Sequence, residues 1–392
     1  MNLDLVKSYQ FKEDSWQASL LLAFLASAGL YYINIFPAII DALMQGAQLS
    51  AVEAGKITSA NALGAAFGAL MITLLIRLIP RWKLTAACML LTLISIDIFT
   101  ILQSSVTALV PLRFCHGFIG GALVGLGFSV IARTSKPSVA FSLLIVVQYS
   151  GGALGLWQLP PLVPIYGTYV PFYALITFSS LTLCMLPFLG AYPLPNEKLK
   201  SKKTAAVKVK PLLLTLIALF LFQAANMALF AFIFGLGKFF SHDMDFLSPV
   251  IGITNIIAIL GAILAIYTGA KFKLCTPLTI ALVVAVLGTW LLIFSESGAI
   301  FLVVNAVVGI AWAFSVPYFL TMAAKFDAAG QMAALGGFAS KMGLATGPLV
   351  AGYLLSEPES YLLLINVATL ALALCVLVAI YPARLLDKKA LI

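Results

Sequence analysis

The sequence predicts an all-α integral membrane protein: twelve transmembrane helices in two pseudo-symmetric six-helix bundles, with both termini cytoplasmic. Three observations carry this. Of 392 residues, 62% are hydrophobic and 9% charged; a soluble domain averages about 45–50% and about 25%, and so few charges cannot cover a water-exposed surface of this size. Apolar segments of about 20 residues, long enough to cross a bilayer, recur twelve times. The basic residues between them fall on one side. This composition excludes a cytosolic enzyme, a disordered chain and a nucleic-acid-binding domain, so the formal charge of +9 marks orientation in a membrane, not a polyanion partner.

Taken in order, the segments lie at about 17–44, 51–79, 83–105, 108–133, 138–159, 170–192, 211–237, 249–270, 275–294, 298–324, 329–354 and 360–382. The first follows a polar stretch, is too long for a signal-peptide core and has no small-residue cleavage pattern after it, so it is expected to remain as span 1. Ser50 with Glu53, and Ser356 with Glu359, have the S-x-x-E spacing of a capping box. Ser248–Pro249 reads as an N-cap followed by proline at the first helical position. Prolines 160, 161 and 164 are expected to end span 5. The five cysteines all fall in apolar runs with no CxxC, which gives neither a disulfide framework nor a zinc site.

All but four of the 23 basic residues (Lys56, Arg113, Lys238 and Lys341) lie before span 1, after the even-numbered spans or at the chain end. The positive-inside rule makes that side cytoplasmic. The polar segment 194–210 divides the chain into an N-terminal bundle, 1–193, and a C-terminal bundle, 211–392. Offsets support a repeat. Arg113 and Gly117 match Asn305 and Gly309 at 192, Asn34 matches Asn226, and Gly151 and Gly155 match Gly343 and Gly347. Asn61 and Arg77 match Asn255 and Lys271 at 194. Both halves start on the same side, so the repeats are parallel, related by an axis along the membrane normal.

Six plus six spans, cytoplasmic termini and a basic central segment resemble the major facilitator superfamily of secondary transporters over nearly the whole chain. The most specific match is Arg113, His116, Gly117 and Gly120–Gly121 in span 4, similar to the family's R-x-x-Q/H-G-x-x-G/A pattern. Gly343, Gly347, Pro348 and Gly352 in span 11, and Gly151, Gly152 and Gly155 in span 5, resemble its glycine-rich gating helices. The loop between spans 2 and 3 departs from the family pattern: Arg77, Arg81 and Lys83 are present, but the usual Asp is not.

Ionisable groups inside the hydrocarbon are functional candidates by default. Lys341 lies near the middle of span 11, about 18 Å from its cytoplasmic end at about 1.5 Å per residue. It either pairs with an internal carboxylate or meets substrate in a water-filled cavity. Arg113 either binds substrate or holds helix ends and carboxylates such as Asp41 or Asp97; in the family this position is associated with proton transfer. His116 sits one turn deeper, and histidine titrates near neutral pH. The resemblance makes span 3 peripheral, so Asp97 reads as a brace for Arg113 or a neighbouring helix, and Asp41 near the outer end of span 1 as a protonatable carboxylate; Asp41, His116, Asp97 and Arg113 are the expected proton-coupling residues. Asn34, Asn226, Gln223, Asn305 and Gln148, with Tyr31, Tyr149 and Trp312, put neutral polar groups on the helices that line the family's cavity. Gly117, Gly151, Gly155, Gly343, Gly347 and Pro348 serve packing or gating.

The expected function is a secondary active transporter that moves a small organic anion by alternating access, coupled to protons. A multidrug/proton antiporter is the alternative, which a mid-membrane lysine suits poorly. A membrane enzyme or receptor is the remote reading, without HExxH, GxSxG or Walker signatures. The expected partners are a small-molecule substrate, protons and membrane lipids, with no nucleic acid, cofactor or metal. A monomer in a bacterial inner (plasma) membrane is expected.

Overall fold

The computed structural model describes residues 10–13, 15–79, 81–103, 105–193, 209–326, 331–356 and 360–389, and these are nearly all helical. The helices are α1 Trp16–Ala28, α2 Tyr31–Asn34, α3 Phe36–Gln45, α4 Ala51–Leu75, α5 Trp82–Ile101, α6 Val106–Ile131, α7 Pro137–Tyr166, α8 Val170–Met185, α9 Val209–Ala231, α10 Ile233–Phe239, α11 Met244–Ile257, α12 Ile259–Lys271, α13 Cys275–Leu291, α14 Gly298–Lys325, α15 Gln331–Leu354 and α16 Tyr361–Lys389. Ten helical stretches among the described residues are long and apolar enough to cross a membrane. The stretches expected as spans 1 and 11, the broken α1–α3 and the glycine-rich α15, are not among those ten. Leu84, Leu91 and Ile98 on α5, and Leu370, Leu374 and Leu377 on α16, are exposed. Apolar stripes of this kind suit a hydrocarbon solvent, not water.

Local signals explain several ends. Ser50 and Glu53 form the reciprocal capping box: Glu53 Oε2 accepts from Ser50 N at 2.9 Å, and Ser50 Oγ accepts from Glu53 N at 3.3 Å. The second box falls partly outside the described residues, at Glu359. Span 1 is not one rod. Its helix stops at Gly29 and again at Ile35, where Pro37 has no N–H to return to Ile33.

Three expected boundaries are corrected. The N-cap of span 8 is Asp243, whose side chain accepts from Phe246 N at 2.9 Å, so Pro249 lies inside α11. Span 5 does not end at its prolines: α7 runs through Pro160, Pro161 and Pro164 and stops where Gly167 adopts φ +93°. Proline is tolerated inside transmembrane helices because neighbours re-satisfy the freed carbonyls, whereas a positive φ is glycine's conformation and closes the helix. Span 12 continues past Pro382 to Lys389, and Asp387 there accepts from Leu274 N and Cys275 N at 2.9 and 3.0 Å. Its carboxylate thus caps the start of α13. Spans 7 and 8 are each interrupted once, at Phe232 and Ala258; at Phe232 the turn tightens to a bond with Leu229 O at 3.2 Å.

The chain forms two compact units. One comprises Met1–Ile35, Ala60–Gly152 and Tyr169–Lys200; the other comprises Phe36–Ser59, Ala153–Thr168 and Ser201–Ile392. In the first, Leu22, Leu25, Leu90, Leu93, Leu123 and Leu126 form one buried core. Its basic end is clipped to the exit of span 6: Lys83 donates to the Leu189 carbonyl, Arg133 donates to Tyr192 O at 3.1 Å, and Glu13 accepts from Ala191 N at 3.1 Å. In the second unit, the ends of spans 1, 2 and 5 remote from the basic loops pack on second-half helices. Ser59 donates to the Ala345 carbonyl, Lys56 lies 5.5 Å over the Tyr353 ring, and Gly252 abuts Ala153 and Trp157.

Candidate functional site

The first unit carries a buried polar cluster. Arg113 on α6 and Asp97 on α5 are both fully buried and joined Nη1 to Oδ1 at 2.7 Å. The other guanidinium arm donates to the Ile96 carbonyl at 3.2 Å and to the Thr100 hydroxyl. Rings frame the cation, Tyr32 at 5.7 Å and Phe172 at 5.3 Å from its Cζ. His116, one turn along α6, points Nε2 at Asp97 Oδ2, 3.4 Å away. Asn61 on α4 reaches Arg113 O at 3.2 Å and His116 Nδ1 at 2.8 Å. It reaches them because Gly117 has no Cβ, and the Asn61 backbone lies directly against it. A buried pair of opposite charges, neutralised and hydrogen-bonded on several sides, holds α5 and α6 in one register.

Asp41 is not part of this cluster. In the second unit, α3 brings it to Lys238 on α10, Oδ1 to Nζ at 2.5 Å, with Asp41 buried and Lys238 half-exposed. The pair lines a cavity of about 150 Å³ with Gln45, Gly235 and Tyr361. It ties α3 to α10. Substituting Asn for Asp41 is expected to lower the melting temperature, and the double exchange Asp41→Lys with Lys238→Asp to recover most of it. A thermodynamic cycle should give a coupling of about 0.5–3 kcal/mol, the range for contacting residues.

A third group gathers on α9, α14 and α15. Gln223 donates to Ser340 Oγ at 2.6 Å and accepts from Trp312 Nε1 at 2.6 Å, so its amide pins the indole. Lys341 follows Ser340 at mid-helix and is half-buried. It makes no ion pair among the described residues. Gly343 and Gly347 abut the Phe220 and Ala224 carbonyls of α9, and the Pro348 carbonyl abuts Gly55. Asn226 and Asn305 donate within their own helices, to Phe222 O at 2.8 Å and Phe301 O at 2.7 Å.

The other expected residues are in the first unit, except Gly155, which is buried in the second. Asn34 donates to Gln148 O at 3.4 Å, Tyr31 stacks on Phe178 at 4.6 Å beside Gly151, and Tyr149 is half-buried. Sequence reasoning missed Lys238, Thr100, Ser340 and Tyr361, and used Asn61 only as a repeat marker. Thr100 was reachable, lying three residues from Asp97 on one helix face. Lys238 carried a signal too, as one of four basic residues on the wrong side of the charge bias.

No curated protein matches the sequence. The fold is similar to that of a variant of the nucleoside transporter NupG, at 13% identity and a TM-score of 0.73, covering 94% of this chain and 99% of that one. It is also similar to a bacterial homologue of the human lysosomal transporter Spinster in an inward-facing, unoccupied conformation, at 12% identity and a TM-score of 0.69, covering 95% and 98%. The family model of the Major Facilitator Superfamily matches residues 20–345. With its helical membrane fold and a span 4 motif built around Arg113, the chain belongs to the Major Facilitator Superfamily and is a transporter, not an enzyme.

Proposed function

We propose that this chain is a proton-coupled secondary transporter of a small organic anion, working by alternating access as a twelve-span monomer with cytoplasmic termini in a bacterial inner membrane. The carrying observation is Lys341. A half-buried cation at mid-membrane depth with no carboxylate partner among the described residues is costly, and an anionic substrate removes that cost. Trp312, pinned by Gln223 on the same group of helices, offers a fixed ring and so suits a planar or aromatic acid. Asp41 is the candidate coupling carboxylate, because it borders a cavity, whereas Asp97 is sealed behind Arg113. Protonating Asp41 would remove its attraction for Lys238 and free the ends of spans 1 and 7.

The six-span halves 1–193 and 211–392, joined by 194–210, are the bodies that would exchange access. A multidrug antiporter is the competing reading, and the likeness to a nucleoside transporter adds nucleosides to the compounds to be tried. Uptake and proton flux in proteoliposomes, across organic acids, nucleosides and cationic dyes, decide between them. Saturable uptake of an organic acid with accompanying proton movement is expected. Transport of dyes or nucleosides with no response to any acid would overturn the reading.

A further inference from the structure

The amide of Asn61 has one orientation open to it. Its Nδ2 lies 3.2 Å from the Arg113 carbonyl oxygen; turning the amide over would set oxygen against oxygen. The nitrogen therefore stays, and its two N–H groups serve the Arg113 carbonyl and His116 Nδ1, the latter at 2.8 Å. An NH₂ group only donates, so Nδ1 must carry a lone pair and the ring proton sits on Nε2. Nε2 faces Asp97 Oδ2, an oxygen with no hydrogen-bond partner of its own. Both ring nitrogens thus require the same tautomer.

We infer that Asn61 is a positioning residue that holds His116 as the neutral Nε2–H tautomer, aimed at Asp97, so that His116 takes up a proton only when α4 moves off Gly117. The groups facing His116 are Asp97 from α5, Arg113 from its own helix, Tyr32 from α2, 5.5 Å between ring centres, and Asn61 from α4. Protonating Nδ1 in this arrangement would set N–H against N–H. Relief requires Asn61 to withdraw, and Asn61 is fixed by its backbone contact with Gly117. Helix separation and proton uptake at His116 are thereby tied together. Only this last step rests on the proposed proton coupling; the tautomer does not.

The chain has two histidines, so a full-length His242→Gln protein with ¹⁵N-labelled histidine rings reports His116 alone. Near neutral pH its spectrum should show a protonated Nε2 and a bare Nδ1. Asn61→Leu, which removes both donors, should let Nδ1 acquire a proton at the same pH. Asn61→Asp, which offers Nδ1–H an acceptor, should give the imidazolium. If Asn61→Leu does not fold, the parent spectrum and Asn61→Asp carry the test. An Nδ1–H tautomer in the parent, or an unchanged spectrum in the folded variants, overturns the inference. None of these readouts needs transport, so a failure here is distinct from a failure of the proposed function.

Discussion

Alanine in place of Lys341 is expected to abolish transport of the organic acid while leaving the protein folded and at least as stable. The ammonium is half-buried on α15 with no ion pair among the described residues, so its removal leaves no described carboxylate uncompensated. Truncating the protein partner of a buried charge pair costs about 2–5 kcal/mol, which is a loss of about 30-fold or more in apparent affinity for the acid. Arginine should restore only part of it, because a planar fork replaces a compact point charge. Melting temperature and uptake per molecule, measured on the same purified variant, check both halves. A destabilised Lys341→Ala protein with normal uptake would make this lysine structural.

Arg113 and Asp97 should behave in the opposite way. Both are fully buried, and each neutralises the other at 2.7 Å. Removing one partner of a buried pair leaves an uncompensated charge and costs about 3–5 kcal/mol. Asp97→Asn or Arg113→Met alone should therefore lower the melting temperature by about 10 °C, at about 2–4 °C per kcal/mol for a body of this size. Replacing both, as Asp97→Leu with Arg113→Met, should recover most of the loss, since apolar residues of similar volume often equal a buried ion pair. A double variant no more stable than the singles would show that other contacts of the cluster dominate.

Much of this architecture was legible in the sequence because bilayer length and helix caps are local. The Ser50–Glu53 box needs only four residues to be recognised, and it forms as written. The errors were local signals read with soluble-protein weights: Pro249 and the prolines of span 5 sit inside helices because a membrane helix has neighbours to satisfy the freed carbonyls. The site was legible in type but not in pairing. Two carboxylates were candidates for Arg113, and the fold chose Asp97, 16 residues away on the adjoining helix. Lys238 stands 197 residues from Asp41, and no periodicity connects residues so far apart. Asn61 was invisible as a site residue, since its role depends on how closely α4 approaches a glycine on another helix.

The Asp387 cap has a consequence for biogenesis. A ribosome delivers this chain from its N-terminus, so the first turn of α13 enters the membrane more than a hundred residues before the carboxylate that serves it exists. Until residue 387 emerges, Leu274 N and Cys275 N must take their hydrogen bonds from water or lipid headgroups. The later half of the molecule is thus left fraying at one helix start throughout translation, and acquires its final hydrogen bonds there only when the tail of the last helix docks.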